Sequence, residues 1–453
     1  MKSHDIEKNQ FDTLQPFLIH PFTTWYQKNE KPIENTKTID SAKLLSYIPN
    51  ILWGDSLITF AADWVRNYSS FAVVLLQIDL TAVQETHTES AKTCEYSQDD
   101  IEILNYFESI AKSMSGIWGV WKSHCFVFFF PHQLAGHCIK LVNDIKMKLM
   151  CMPEHYTITA GIAAYPLLNF KKEDMIANAE KALMNAHFFG IGATVVFDAI
   201  TLNISADAFY QEGKIEDALH ELRLAIQLDP LNVNIHNSMG VCYGLLQDYK
   251  NALNAFEHVL CLDPNEYMAF YNSGLVYMFS GDFDKALSAF KQAHECKPDI
   301  FEIAFQIGKL LMEMNDYETA ITYFEKAVTL RPELGITQRY IGDCFFAQHK
   351  IKEAQDMYQK ALRNNPNDAA SLSTLGYLYQ LQGENQEIAA MFCEQSIKIL
   401  PEEGLFHQRL GMVYLKQHRI EEALDAFLNA TRFGKDSSDY INEIHQQKTG
   451  NVF

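Results

Sequence analysis

The chain is predicted to be multidomain, an α+β sandwich followed by an all-helical solenoid of about seven two-helix hairpins. Three observations predict it. An alanine recurs at Ala218, Ala252, Ala286, Ala320, Ala354, Ala389 and Ala423, with gaps of 34, 34, 34, 34, 35 and 34 residues, a fixed period that marks stacked helical hairpins. Small residues and prolines keep step with that alanine. Ahead of it, residues 46 to 198 alternate strand-like and helix-like runs.

Each position of the repeat has a physical task. Ala206, Gly240, Gly274, Gly308, Gly342, Gly376 and Gly411 precede the alanine by twelve or thirteen residues, where a missing side chain lets two helices approach. Ala225, Val259, Ala293, Ala327, Ala361, Ser396 and Ala430 follow it by seven and are small again. Pro230, Pro264, Pro298, Pro332, Pro366 and Pro401 follow it by twelve, and a ring without an N–H cannot continue the helix. Core slots hold Phe209, Tyr243, Tyr277, Leu311, Phe345, Tyr379 and Tyr414 in the first helices, with Phe256, Phe290, Phe324, Tyr358 and Phe427 in the second. The single 35-residue gap places one extra residue between helices, near residues 383 to 386. After Lys435, the run Ser437-Ser438-Asp439 with Tyr440, Ile441 and Ile444 reads as a capped helix closing the stack, residues 436 to 453.

Residues 1 to 42 form an arm left unassigned, with Phe17, Leu18, Ile19, Phe22, Trp25 and Tyr26 interrupted by Pro16, Pro21 and Pro32. The run FAVVLLQID at 71 to 79 reads as a buried strand, and 99 to 115 as an amphipathic helix. Residues 118 to 121 and 126 to 130 read as a hairpin joined by Lys122, Ser123, His124 and Cys125. A helix at 133 to 149, a strand at 156 to 163, a helix at 174 to 187 and a strand at 194 to 197 follow. A hairpin set among helix crossovers gives a mostly antiparallel sheet with helices packed on it. No flexible linker separates Phe197-Asp198 from the first repeat, so the two parts are expected to dock.

The chain has 453 residues, nine cysteines and a formal net charge of −20. The cysteines are odd in number and show no CxxC pair, which suits reduced thiols in a cytoplasm. Residues 1 to 200 hold 16 Lys/Arg against 22 Asp/Glu, and the rest 21 against 35. So acidic a solenoid is a poor ligand for nucleic acid. No apolar run nears the length of a membrane span, and the first ten residues lack the apolar core of an export signal. His124, Cys125, His132, His137 and Cys138 invite a metal reading, but the strand between them separates the groups by about 20 Å.

Residues 199 to 435 resemble seven tetratricopeptide repeats, on the small-aromatic-alanine-proline pattern just given. Residues 43 to 198 resemble the GGDEF domain of diguanylate cyclases, which join two GTP molecules into cyclic di-GMP. That second resemblance lies in Ile48-Pro49-Asn50 before a helix, then FAVVLLQID, FVFFFP, TITAGIAAYP and AEKALMNAHFFG, in order.

The resemblance implies a fold kept and a chemistry lost. Where the family has its G-G-D/E-E-F hairpin, this chain has Lys122, Ser123, His124, Cys125 and Phe126. The family's other metal carboxylate, two residues before Asp79, is Gln77, and a neutral amide is a weak ligand for a hard cation. Its product-inhibition Arg and Asp become Ser113 and Gly116; an Asp and an Arg near its start become Lys43 and Ile51; its late basic residues become His187, Ile191 and Ala193. Gln77, Asp79, Lys122, Ser123, His124 and Cys125 therefore form a degenerate nucleotide site, with no cofactor, no metal and no catalytic residue expected.

In tetratricopeptide arrays the first helices line the concave face, and their second, fifth and ninth places meet a ligand. Those places are Asn234, Asn237 and Val241; Met268, Tyr271 and Leu275; Glu302, Phe305 and Lys309; Ile336, Arg339 and Asp343; Ala370, Ser373 and Tyr377. The expectation is a non-catalytic bacterial signalling adaptor that binds a protein or peptide there. A second reading keeps the altered domain as a guanine-nucleotide or cyclic di-GMP sensor; a third, an active cyclase, needs metal held without either carboxylate.

Overall fold

The computed structural model describes residues 51–79, 98–122, 125–152, 156–383 and 385–450. The arm of residues 1 to 42, Lys43, the Ile48-Pro49-Asn50 run, Ser123 and His124 lie outside the described residues, as does the side chain of Asp79. Two compact units meet in sequence at Leu262 and Asp263. The first two repeats thus share a unit with the α+β region.

That unit begins with β1 (Leu52–Trp53), α1 (Gly54–Arg66), β2 (Phe71–Asp79), α2 (Gln98–Ser113), β3 (Ile117–Lys122) and β4 (Cys125–Pro131). It continues with α3 (Ala135–Met150), β5 (Thr157–Tyr165), α4 (Met175–Phe189) and β6 (Thr194–Val196). The strands form one sheet in the order β1-β3-β4-β2-β5-β6. The three inner pairings are antiparallel and the two outer ones parallel. The sequence reading passes over β1, whose two residues are too few to show a period.

Alternation along the strands divides the core. Ala72, Val74, Leu76, Phe126, Phe128 and Phe130 pack with Phe107 of α2 and Val142 and Ile145 of α3. The other face receives α1 and α4, so helices cover both sides. Gly161 of β5 is where α4 comes closest: a Cβ there would lie 2.2 Å from the Ala179 carbonyl oxygen. On the same face Trp64 of α1 meets Phe129 edge-on at 6.3 Å. Lys172 Nζ donates to the carbonyls of Val65, Arg66 and Tyr68 at 3.1, 3.3 and 2.7 Å, placing a cation at the negative end of α1.

Two repeats complete this unit: α5 (Ala199–Gln211), α6 (Ile215–Leu228), α7 (Val233–Leu245) and α8 (Tyr249–Leu262). Asp198 caps α5 by accepting from Thr201 N at 2.9 Å. Contact with the sandwich follows at once. Asn185 Nδ2 of α4 donates to the Thr201 carbonyl at 3.1 Å, and Lys181 Nζ reaches both oxygens of Glu221 on α6 at 2.7 and 2.6 Å.

The second unit holds α9 (Tyr267–Phe279), α10 (Phe283–Cys296), α11 (Phe301–Glu313), α12 (Tyr317–Leu330), α13 (Gly335–Ala347) and α14 (Ile351–Asn364). Then come α15 (Ala369–Gln382), α16 (Gln386–Ile399), α17 (Gly404–Lys416), α18 (Ile420–Arg432) and α19 (Ser438–Gly450). The periodic alanines of both units are fully buried. The glycines have a definite partner, the aromatic residue four places after each alanine. A Cβ on Gly240 would stand 2.4 Å from the Phe256 ring, on Gly274 2.6 Å from Phe290, on Gly308 2.7 Å from Phe324 and on Gly411 2.7 Å from Phe427. Cys393 takes the aromatic's place opposite Gly376. Ring and missing Cβ are one contact, which fixes how closely each hairpin closes.

Each hairpin turns through a residue of positive φ: Gly213, Gln247, Gly281, Asn315, His349, Gly383 and His418. The 35-residue unit adds Asn385 at φ 47°, so its extra residue is absorbed in the turn. α19 covers the last hairpin, with Ile444 buried and Tyr440 stacked on Phe427 at 4.8 Å and 4°.

Candidate functional site

The described residues of the expected nucleotide site lie where β2 and β3 end and β4 begins. Gln77 pairs in register with Cys125 on one side and Thr159 on the other. Its side chain faces α4, where His187 Nε2 lies 3.2 Å from Gln77 Oε1. Two turns earlier on α4, Glu180 takes the charge of Lys122, and Trp121 Nε1 lies 3.5 Å from the same carboxylate oxygen. Glu180 and His187 are seven residues apart and therefore share a helix face. Both strand ends are thus held by one helix.

That arrangement has chemical consequences. Gln77 spends its amide oxygen on an imidazole, and the Lys122 cation is already matched by a carboxylate. Cys125 is 4% exposed, and burial with the Glu180 charge pushes its thiol up to about 12, so it is no nucleophile near neutral pH. Among the described residues no three His, Cys, Asp or Glu side chains group as metal ligands.

The first helices of the repeats place the expected partner residues unevenly. Asn234 of α7 is half-buried, whereas Asn237 and Val241 are buried. In the second unit Glu302, Lys309, Ile336, Arg339, Asp343, Ala370 and Tyr377 are half-buried, but Met268, Tyr271, Leu275, Phe305 and Ser373 are buried. Of the places expected to meet a ligand, the buried ones are closed to solvent. Tyr271 tilts against Phe290 at 5.4 Å, and Phe305 packs among Phe301, Phe324 and Tyr340. Large rings at the fifth place turn into the helix-to-helix seam, where they bury the most area.

The half-buried residues gather around charge. Lys309 Nζ and the Arg339 guanidinium lie 5.7 and 5.0 Å from the Tyr340 ring. Arg339 Nε stands 3.7 Å from Asp368 Oδ2, and Asp368 accepts from Ser371 Oγ at 2.5 Å. Asp343 accepts from Tyr358 OH at 2.6 Å; burial raises its carboxyl even though Arg339, that hydrogen bond and Arg409 all act to lower it.

Three polar residues escaped the sequence reading. Asn203 and Asp207 hold the fifth and ninth places of the first repeat, and both are 8% exposed. Asn203 Oδ1 has no hydrogen-bond partner, and burial pushes Asp207 up to about 7. Counting places from the first alanine would have found them. Arg409, at the sixth place of the last repeat, donates to Ser373 and Thr374; the second-fifth-ninth rule skips it.

Family comparisons cover the helical part in succession. Residues 206–247 match a family described as TPR repeat, and residues 299–366 and 357–390 match families described as tetratricopeptide repeat. Residues 246–327 match the family of subunit 3 of the anaphase-promoting complex, or cyclosome. Residues 206–390 are tetratricopeptide repeats. A search of curated proteins finds no match.

Solved structures similar to this tetratricopeptide array include YrrB, a TPR protein with an unusual peptide-binding site, at 19% identity. That match covers 41% of this chain and 95% of YrrB, with a TM-score of 0.36. Others are pilF of Pseudomonas aeruginosa (19% identity, 46% and 94% covered, TM-score 0.41) and a repeat protein from Parabacteroides merdae (18%, 54% and 96%, 0.41).

Proposed function

We propose that this chain is a non-catalytic scaffold whose tetratricopeptide repeats bind an extended segment or helix of a protein partner, carried by a GGDEF-like domain that has lost cyclase chemistry. The observation that carries the second half is the pair of contacts from α4, Glu180 to Lys122 and His187 to Gln77. Phosphoryl transfer needs charge placed where negative oxygens develop, and this site offers a neutralised lysine and an occupied amide. The repeats support the first half: in the second unit a partner would meet the half-buried Glu302, Lys309, Ile336 and Tyr377, a mixture of charged, apolar and aromatic groups suited to peptide.

Incubation of the purified chain with GTP and magnesium is expected to yield no cyclic di-GMP. Sustained turnover would overturn the reading of the domain. Peptides selected on the chain are expected to bind an Ile336→Asp, Tyr377→Ala variant at least tenfold more weakly; unchanged binding would move the contact surface elsewhere.

A further inference from the structure

Two imidazoles meet in the second repeat. The rings of His236 on α7 and His258 on α8 lie with their centroids 4.2 Å apart and their planes at 64°. The packing of the hairpin brings them together. His236 stands one turn before Gly240, and His258 two residues after Phe256, so the close approach of that glycine to that ring also sets the two histidines side by side. His236 is half-buried and His258 exposed, and both belong to the first compact unit.

The buried partner of the pair is prepared as a ligand. His236 Nε2 donates to the Pro230 carbonyl at 2.8 Å, which puts its proton on Nε2 and leaves a lone pair on Nδ1. A backbone carbonyl holding one ring nitrogen is how proteins orient an imidazole whose other nitrogen binds a metal. Burial holds the His236 ring below the ordinary imidazole range; the Pro230 carbonyl and Asp229 pull it up, and the His258 charge pushes it down. The ring is therefore neutral near pH 7, the form that binds metal. The last repeat supplies a contrast. His407 makes the same bond to the Pro401 carbonyl, also at 2.8 Å, but its ring stacks on Phe433 at 5.3 Å and 29°. The carbonyl bond thus belongs to the packing of both repeats, and the second imidazole is what sets His236 apart.

We propose that His236 and His258 together bind a divalent transition-metal ion such as zinc, clasping α7 to α8. Imidazole nitrogens suit this class of ion, whereas magnesium prefers oxygen. Among the described residues no third His, Cys, Asp or Glu joins the pair, so water fills the remaining positions and binding is reversible. An ion held only by the folded hairpin stabilises it by mass action.

The test is calorimetric titration of the full chain with zinc chloride at pH 7.5, beside His258→Gln, His236→Gln and His407→Gln. The unaltered chain and His407→Gln are expected to show a saturable site that His258→Gln and His236→Gln weaken at least tenfold. Equal affinity in His258→Gln would overturn the proposal and assign the ion to other histidines; no saturable binding in the unaltered chain would overturn it outright. Circular dichroism checks folding, and the exposed His258→Gln carries the test alone if His236→Gln does not fold. Nitrogen-15 NMR of histidine-labelled protein reads the ligand atom: zinc is expected to shift Nδ1 of His236 and to leave His407 unmoved, and a shift at His407 in place of His236 would overturn the assignment. Lowering the pH to 5.5 is expected to weaken binding at least tenfold as the imidazoles protonate. Unchanged affinity there would mean that carboxylates hold the ion and would overturn the proposal. The melting temperature is expected to rise with zinc in the unaltered chain, and to respond neither to zinc in His258→Gln nor to magnesium; an equal rise in His258→Gln would count against the clasp.

Discussion

Lys181 Nζ lies 2.7 and 2.6 Å from the two carboxylate oxygens of Glu221, joining the last helix of the sandwich to the second helix of the first repeat. Glu221 is 8% exposed at its side chain and Lys181 29%, so the pair is mostly removed from water.

Breaking that pair from one side should cost more than removing it whole. Lys181→Ala strands a buried carboxylate and is expected to destabilise this contact by about 3 kcal/mol, whereas Lys181→Met with Glu221→Met should cost less. Hydrogen exchange over residues 175 to 228 measures it. Faster exchange in the double variant than in Lys181→Ala would contradict the argument.

The glycine-aromatic contact makes a graded prediction. A Cβ on Gly240 would sit 2.4 Å from Phe256, but on Gly342 3.0 Å from Tyr358. Overpacking costs on the order of 1–3 kcal/mol, so Gly240→Ala should lower the melting temperature clearly more than Gly342→Ala.

Asp207 predicts a pH dependence. Its carboxyl rises to about 7 through burial, above the ordinary carboxylate value it regains on unfolding. Between pH 4 and pH 7 the folded chain keeps a proton that the unfolded chain releases, so stability falls with rising pH across that window and levels off above it. Asp207→Asn removes the loss. Denaturation at pH 5 and pH 8 should show the variant gaining up to about 4 kcal/mol at the higher pH and about 1.5 kcal/mol at the lower. An unchanged slope would mean the acid titrates normally.

The turn residues offer the opposite sign. Gln247, His349 and His418 hold φ near 60°, a conformation costing a non-glycine residue roughly 1 kcal/mol. Gln247→Gly is expected to raise stability by about 0.5 to 1 kcal/mol, read from the denaturation midpoint. A fall would show that the Gln247 side chain contributes a contact worth more than the strain.

The repeats were legible because each unit solves the same packing problem, so alanine, glycine and proline recur at one spacing. Which first-helix residues meet solvent was not. Tyr271 and Phe305 occupy the same place as Arg339 and Ser373, and only the neighbouring helix decides that a ring turns inward while a guanidinium stays half-exposed. The partners of the strand ends were equally hidden, since His187 lies 110 residues from Gln77 and no local pattern links them. Strands β2 and β4 could be read because both faces of the sheet are covered, which makes their sequences continuously apolar.

The seam between Val196 and Thr201 bears on how the molecule can be dissected. Asp198 caps α5, and Thr201 Oγ1 stands 3.3 Å from the Val196 carbonyl, so a fragment cut at residue 199 begins with an uncapped helix and a bare apolar flank at Leu202. A helical fragment begun at Asp263, where the second unit starts, keeps the Glu266 cap of α9, and the two leading hairpins stay with the sheet as one inheritance.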